Sequence, residues 1–120
     1  MRYFINGNVP SLKNGKRWTG KYLISSKLVA KYLKEHKSEY ITYASSIKDE
    51  LTYKDKPYKI SFKFIRGSRH RFDYINAAQL PLDIMTELDI IDDDNADEVI
   101  PVFIPYEYNK EKPGVWIEIL

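Results

Sequence analysis

A chain of 120 residues, 43% of them apolar, falls in the size range of one domain and can bury a real core, about two thirds of its unfolded surface. It has no cysteine, which excludes disulfides and thiolate zinc sites, and no run near the ~20 apolar residues of a membrane span or an export signal's core, so a cytoplasmic protein without membrane contact is expected. The net charge of +2 hides a division: residues 1–71 carry 17 Lys or Arg against 5 Asp or Glu, and residues 72–120 carry 2 against 12, so a half that attracts polyanions adjoins a half that a bound cation would neutralise.

In chain order, Arg2 to Asn6 alternates as a strand and is ended by Gly7 and Pro10. The polar loop Ser11-Leu12-Lys13-Asn14-Gly15-Lys16-Arg17 has turn chemistry at Asn-Gly, and a short strand at Lys21 to Ile24 is expected to close it into a hairpin. Ser25 or Ser26 then caps a helix carrying Leu28, Val29, Tyr32 and Leu33. A second apolar run through Tyr40, Tyr43, Ala44, Ile47 and Leu51 continues it or follows a break near residues 36–38. From Pro57 to Arg66, Tyr58, Ile60, Phe62 and Phe64 alternate with Lys59, Ser61 and Lys63, the period of a half-buried strand with one cationic face.

Asn76, with Gln79 three residues on, has capping-box spacing for a helix running through Leu88, its first turn loosened by Pro81. Helical spacing puts Asn76, Gln79, Asp83 and Glu87 on one face and Ala77, Ile84, Met85 and Leu88 on the packed side. Strands over Val99 to Tyr108 and Val115 to Leu120, joined by a Pro113-Gly114 turn, complete an α/β or α+β domain: a small mixed sheet flanked by helices, spanning 1–120.

The pattern that carries chemistry is Asp73 with Asp92-Asp93-Asp94 at the two ends of that helix, directly after the basic segment Arg66-Gly67-Ser68-Arg69-His70-Arg71. Mg²⁺ is usually held by one or two carboxylates together with waters and phosphate, so two acidic groups folded together beside arginines suit a metal-assisted reaction at a phosphate polymer. An EF-hand is excluded, because counting from Asp92 its sixth and twelfth places hold Asp97 and Phe103 rather than Gly and Glu. The competing readings are structural: Asp73 or Asn76 as a helix cap, Asp83 as a solvated helix residue, and Asp92-Asp93-Asp94-Asn95 as a polar turn.

Asp73-Tyr74-Ile75-Asn76, then Gln79, Asp83 and Asp93-Asp94, resembles the signature of RusA-type Holliday junction resolvases, the phage and prophage endodeoxyribonucleases. Val9-Pro10-Ser11-Leu12-Lys13-Asn14 is also similar to that family's proline-containing basic loop. The resemblance implies a Mg²⁺-dependent nuclease, Mn²⁺ being an alternative metal, that resolves branched DNA such as four-way junctions in recombination and repair as a symmetric homodimer. On this resemblance Asp73, Asp93 and Asp94 are the catalytic metal ligands, Asn76 and Asp83 support them by hydrogen bonding, and Lys13, Lys16, Arg17, Arg66, Arg69 and Arg71 contact DNA.

The sequence departs from that signature twice. Ile75 stands where the family has a second aspartate, and Gln79 where it has a lysine. Asp92 or Asp93 would then supply the third carboxylate, or the chain is a branched-DNA-binding protein of the same fold with weakened or lost cleavage. A general protein-interaction domain, its two charged halves binding a partner or each other, is a third reading.

Overall fold

The computed structural model describes residues 1–11 and 20–120, with the side chains of the long helix described from residue 27 onward. The elements are β1 (Arg2–Asn6), α1 (Gly20–Thr52), β2 (Tyr58–Arg66), α2 (Tyr74–Glu87), β3 (Val99–Tyr108) and β4 (Gly114–Ile119). They form a mixed sheet in the order β1-β4-β2-β3, in which β4 runs antiparallel to both neighbours and β2 runs parallel to β3. The expected α+β class, a small sheet with helices packed on it, is what the chain adopts.

Period-two alternation explains the sheet's two faces. Phe62 lies opposite Ile117, which lies opposite Tyr3, while Phe64 opposes Val115 and Val115 opposes Ile5. These six residues are all buried, and each large side chain withdrawn from water contributes about 1.5–3 kcal/mol. α1 covers this face: its Tyr43 ring packs 5.3 Å from that of Tyr3, whose hydroxyl donates to Glu50 at 2.6 Å. The opposite face carries Arg2, Phe4, Trp116 and Lys63. The expected cationic face of β2 is therefore mixed, since Ser61 is buried and Lys63 is paired with Glu107 at 2.6 Å.

Two expectations about the first helix are corrected. Lys21 to Ile24 is no strand and neither Ser25 nor Ser26 is the cap, because α1 already begins at Gly20; of the two alternatives for the apolar run from Tyr40, the helix continues without a break. Tyr32, Tyr40, Ile47 and Leu51 fall on one buried stripe that runs past the polar residues. The Tyr32 and Tyr40 hydroxyls meet at 2.8 Å across that stretch, and His36 pairs with Glu39 at 2.8 Å on the same turn. The basic loop, with Lys13, Lys16 and Arg17, lies outside the described residues.

α2 begins three residues earlier than an Asn76 cap would set it. Asp73 is the N-cap, with extended backbone (φ −106, ψ 135), and its carbonyl accepts the first helical bond from the Ala77 N–H at 3.0 Å. Pro81 sits inside the helix and is buried with Leu80, Leu82, Ile84 and Met85, so packing holds the helix together across the missing donor. The helix stops by a defined device. Ile90 N–H donates to Met85 O at 2.8 Å and Asp89 N–H to Thr86 O at 3.1 Å, with Asp89 in the left-handed region at φ 58. Ile90 and Ile91 then drop into the core, and the chain turns back so that Asp94 reaches Gln79 of α2.

Candidate metal and nucleic-acid site

Asp73 is an N-cap whose carboxylate makes no capping bond to the helix, so its oxygens stay available. One of them accepts from Asn76 Nδ2 at 3.2 Å, the residue placed one turn further on. Tyr74, the first helical residue, fixes this end of α2 to β3: its hydroxyl accepts the Tyr106 N–H at 3.1 Å, and its ring stacks on Phe103 with centroids 5.4 Å apart. Phe72 adds an edge-on contact to Tyr106 at 5.0 Å. Together Phe72, Asp73, Tyr74, Ile75, Asn76 and Phe103 line an open depression of about 640 Å³. Ile75 projects from its rim, 75% exposed.

A second group of acids lies further along the same helix. Gln79 Nε2 donates to Asp83 Oδ1 at 2.8 Å and to Asp94 Oδ2 at 3.0 Å. Carboxylates only accept, so the amide must turn its NH₂ toward both, and it ties the loop after α2 to the helix face. Partial burial pushes the Asp83 carboxyl up, and the nearby charge of Asp94 adds to this, although the Gln79 bond opposes it. Two like charges are thus held together by one neutral donor.

The other two loop acids face elsewhere. Asp93 accepts from the Asp94 N–H at 2.7 Å and from Asn95 Nδ2 at 3.2 Å, which holds its carboxyl below the usual range and makes it the organiser of its own turn. Asp92, the alternative third ligand, is paired with Lys56 at 2.7 Å, and the same ammonium reaches Glu98 at 2.9 Å. Among the described residues no three His, Asp or Glu side chains are grouped to hold a metal ion. Asp73, Asn76, Gln79, Asp83 and Asp94 are brought onto α2 and the loop beside it; Asp93 points into the turn.

The arginines also divide. Arg69 and Arg71 are exposed just before α2, with the Arg69 guanidinium 4.0 Å above the Tyr108 ring. Arg66, expected among the DNA contacts, is corrected: it is 6% exposed, its Nη1 donates to Val9 O at 2.6 Å, and its guanidinium lies 4.4 Å from the Phe72 ring centre. Its charge fastens β2 to the segment after β1 rather than facing solvent. His70 is exposed, and its backbone N–H reaches Ser68 Oγ at 3.4 Å.

Sequence reasoning missed the anchoring by Tyr74 and Phe103. The signal was present, because aromatic residues flank Asp73 on both sides and Phe103 sits mid-strand, but tyrosine spacing alone reads as core packing. It also missed that Gln79 occupies the space between two carboxylates. Among the described residues no helix is long and apolar enough to cross a membrane. Neither a scan against protein-family models nor a search of curated proteins finds a match for this chain.

Proposed function

We propose that this chain is a Mg²⁺-dependent, structure-selective endodeoxyribonuclease of RusA type acting on branched DNA, working as a symmetric homodimer in the cytoplasm. The observation that carries the reading is the Gln79 bridge, which draws Asp94 back onto the helix that starts at Asp73 and places it beside Asp83. These residues suit a hard cation. Asp73 has a carboxylate not consumed by its cap, and the crowding of Asp83 against Asp94 is the arrangement a divalent ion relieves. Two carboxylates suffice when substrate phosphate completes the shell, so Asp73 and Asp94 are the proposed ligands, with Mn²⁺ an acceptable substitute.

Bound there, the ion would supply Lewis-acid stabilisation of charge on the phosphate and a water of lowered pKa. The protein's own part is positional. Asn76 orients the Asp73 carboxylate, Gln79, itself held by Asp83, donates to Asp94, and Asp93 shapes the turn that presents it. Arg69 and Arg71 lie upstream on the exposed side for phosphates, joined in this proposal by Lys13, Lys16 and Arg17. The two-fold homodimer is proposed from the substrate, because a four-way junction needs two symmetric nicks.

A second reading is favoured by Ile75 and Gln79: an apolar side chain and a neutral amide occupy places where a ligand and a cation would serve cleavage. On that reading the chain binds branched DNA without cutting it efficiently. Nicking of a synthetic four-way junction with and without Mg²⁺ or Mn²⁺ separates the two. The nuclease reading expects metal-dependent nicks that Asp73→Asn and Asp94→Asn abolish while binding persists. Salt-dependent junction binding with no nicking leaves the second reading, and no preference for junction over linear duplex defeats both.

A further inference from the structure

The depression at the start of α2 has a composition that metal-assisted cleavage alone does not need. Ile75 is a large apolar side chain left 75% exposed at its rim, on a helix whose other apolar residues are mostly buried. Its neighbours in the lining are the rings of Phe72, Tyr74 and Phe103, with Asp73 and Asn76 supplying the polar edge. Its volume of about 640 Å³ falls inside the ~300–1,000 Å³ range of small-ligand sites.

We infer that this depression receives a single unpaired nucleobase, with Ile75 and the ring of Tyr74 or Phe72 against the base plane and Asn76 with Asp73 against its edge. This rests on the branched-DNA reading and names which part of such a substrate the site takes: the unstacked base at a branch or bulge. The occupant follows from what surrounds the depression. Exposed Arg71 immediately precedes the lining residue Phe72, and exposed Arg69 lies two residues before Arg71; their charge suits the phosphates flanking a base, whereas an apolar peptide would find no use for them. A stacked base pair cannot enter, because its apolar faces are already covered by its neighbours. An extruded base offers a free π-face to the apolar lining and free hydrogen-bonding groups to the Asn76 amide and the Asp73 carboxylate.

The anchoring of the site fits this use. Tyr74 is fixed at its hydroxyl by Tyr106 and along its ring by Phe103, so the platform is set before the base arrives and little freedom is lost on binding. Ile75 is the adjustable element. It makes the position apolar where a carboxylate would repel both the base's π-face and the adjoining phosphates.

The test uses the full chain and three fluorescein-labelled duplexes of one sequence: fully paired, carrying one unpaired adenine, and carrying an abasic site in place of that adenine. Stacking of one base is expected to make the unpaired-adenine duplex bind about tenfold tighter than the abasic one. Ile75→Ser, at an exposed position and with unfolding monitored in parallel, should shrink that ratio to about twofold without changing affinity for the fully paired duplex. Equal affinity for adenine and abasic duplexes, or an unchanged ratio in Ile75→Ser, overturns the inference. Failure of the branched-DNA reading is seen separately, as equal binding of four-way junction and linear duplex, and leaves the base-against-abasic ratio to stand or fall by itself.

Discussion

Replacing Asp83 by Asn should stabilise the protein at neutral pH. The substitution keeps an oxygen that can accept from Gln79 and removes one of two negative charges. Both carboxylates bond the same nitrogen, at 2.8 and 3.0 Å, so the two oxygens lie within about 6 Å of each other. Coulomb's law puts their repulsion at about 0.7 kcal/mol in bulk water and about 3 kcal/mol at an effective dielectric of 20. Asp83 is only partly shielded, so screening brings the expected gain to about 1 kcal/mol, or a rise in Tm of roughly 3–5 °C. The pH dependence has a definite sign. Asp83's folded-state carboxyl is pushed up, so its ionisation costs stability above that raised value, and the cost is relieved as pH falls through it. The advantage of Asp83→Asn should therefore be full at pH 7 and vanish near pH 3, where the wild-type carboxyl is protonated in both states. Urea unfolding at the two pH values, with Mg²⁺ removed by chelation, measures it. A variant less stable than wild type at pH 7, or a gain equal at both pH values, would refute the shared-donor, like-charge account of this pair.

Four further perturbations follow from the geometry. Asp89→Gly should add about 0.5 kcal/mol and Asp89→Val remove about 1–2 kcal/mol, because only φ 58 closes the α2 terminus and β-branched residues avoid that region; thermal unfolding of the pair reads it. Arg66→Met should cost about 2 kcal/mol, since it strips the Val9 carbonyl of its donor, yet on the proposed reading leave the salt dependence of DNA binding untouched. Replacing Arg69 and Arg71 by Ala should instead lower the slope of log K against log salt by about two units with little change in stability. Gly114→Ala should cost about 2 kcal/mol or more in urea unfolding, as its new methyl group would stand 2.3 Å from Phe4 Cζ and 2.6 Å from the Ile5 carbonyl oxygen, the latter unable to move without breaking strand pairing.

Much of the fold was legible because period and length agreed. β2, β3 and β4 announced themselves through alternation and the Pro113-Gly114 turn, and the packed side of α2 through Ala77, Ile84 and Met85. What obscured the rest were polar interruptions. His36 to Ser38 left open in one dimension whether the helix breaks or continues, and it continues because the buried stripe needs only Tyr32 and Tyr40, two turns apart. The helix cap was misjudged for a related reason: Asp73 and Asn76 both have capping chemistry, and the choice between them was made by Tyr74 docking on Phe103 and Tyr106, a contact across 29 and 32 residues that no local pattern encodes. In the candidate site, spacing correctly assembled Asn76, Gln79, Asp83 and Glu87 on one helix. It was silent on which loop acid would return to that helix, because that depends on the left-handed turn at Asp89 and on Lys56 taking Asp92. Arg66 looked like its exposed neighbours because charge in a sequence carries no sign of burial.

The placement of β4 has a consequence for how the chain comes together. The strand furthest along the sequence is inserted between β1 and β2, with Glu118 opposite both Arg2 and Ser61. A nascent polypeptide that stops short of residue 114 therefore holds β1 with no neighbour and exposes one whole edge of β2. The parallel β2–α2–β3 unit can form early, but Tyr3 and Ile5 gain their strand neighbours Ile117 and Val115 only when the final strand arrives. Pairings of such long sequence separation slow folding and prolong the life of open strand edges. Cleavage of even the last few residues would thus unmake the middle of the sheet rather than trim its margin.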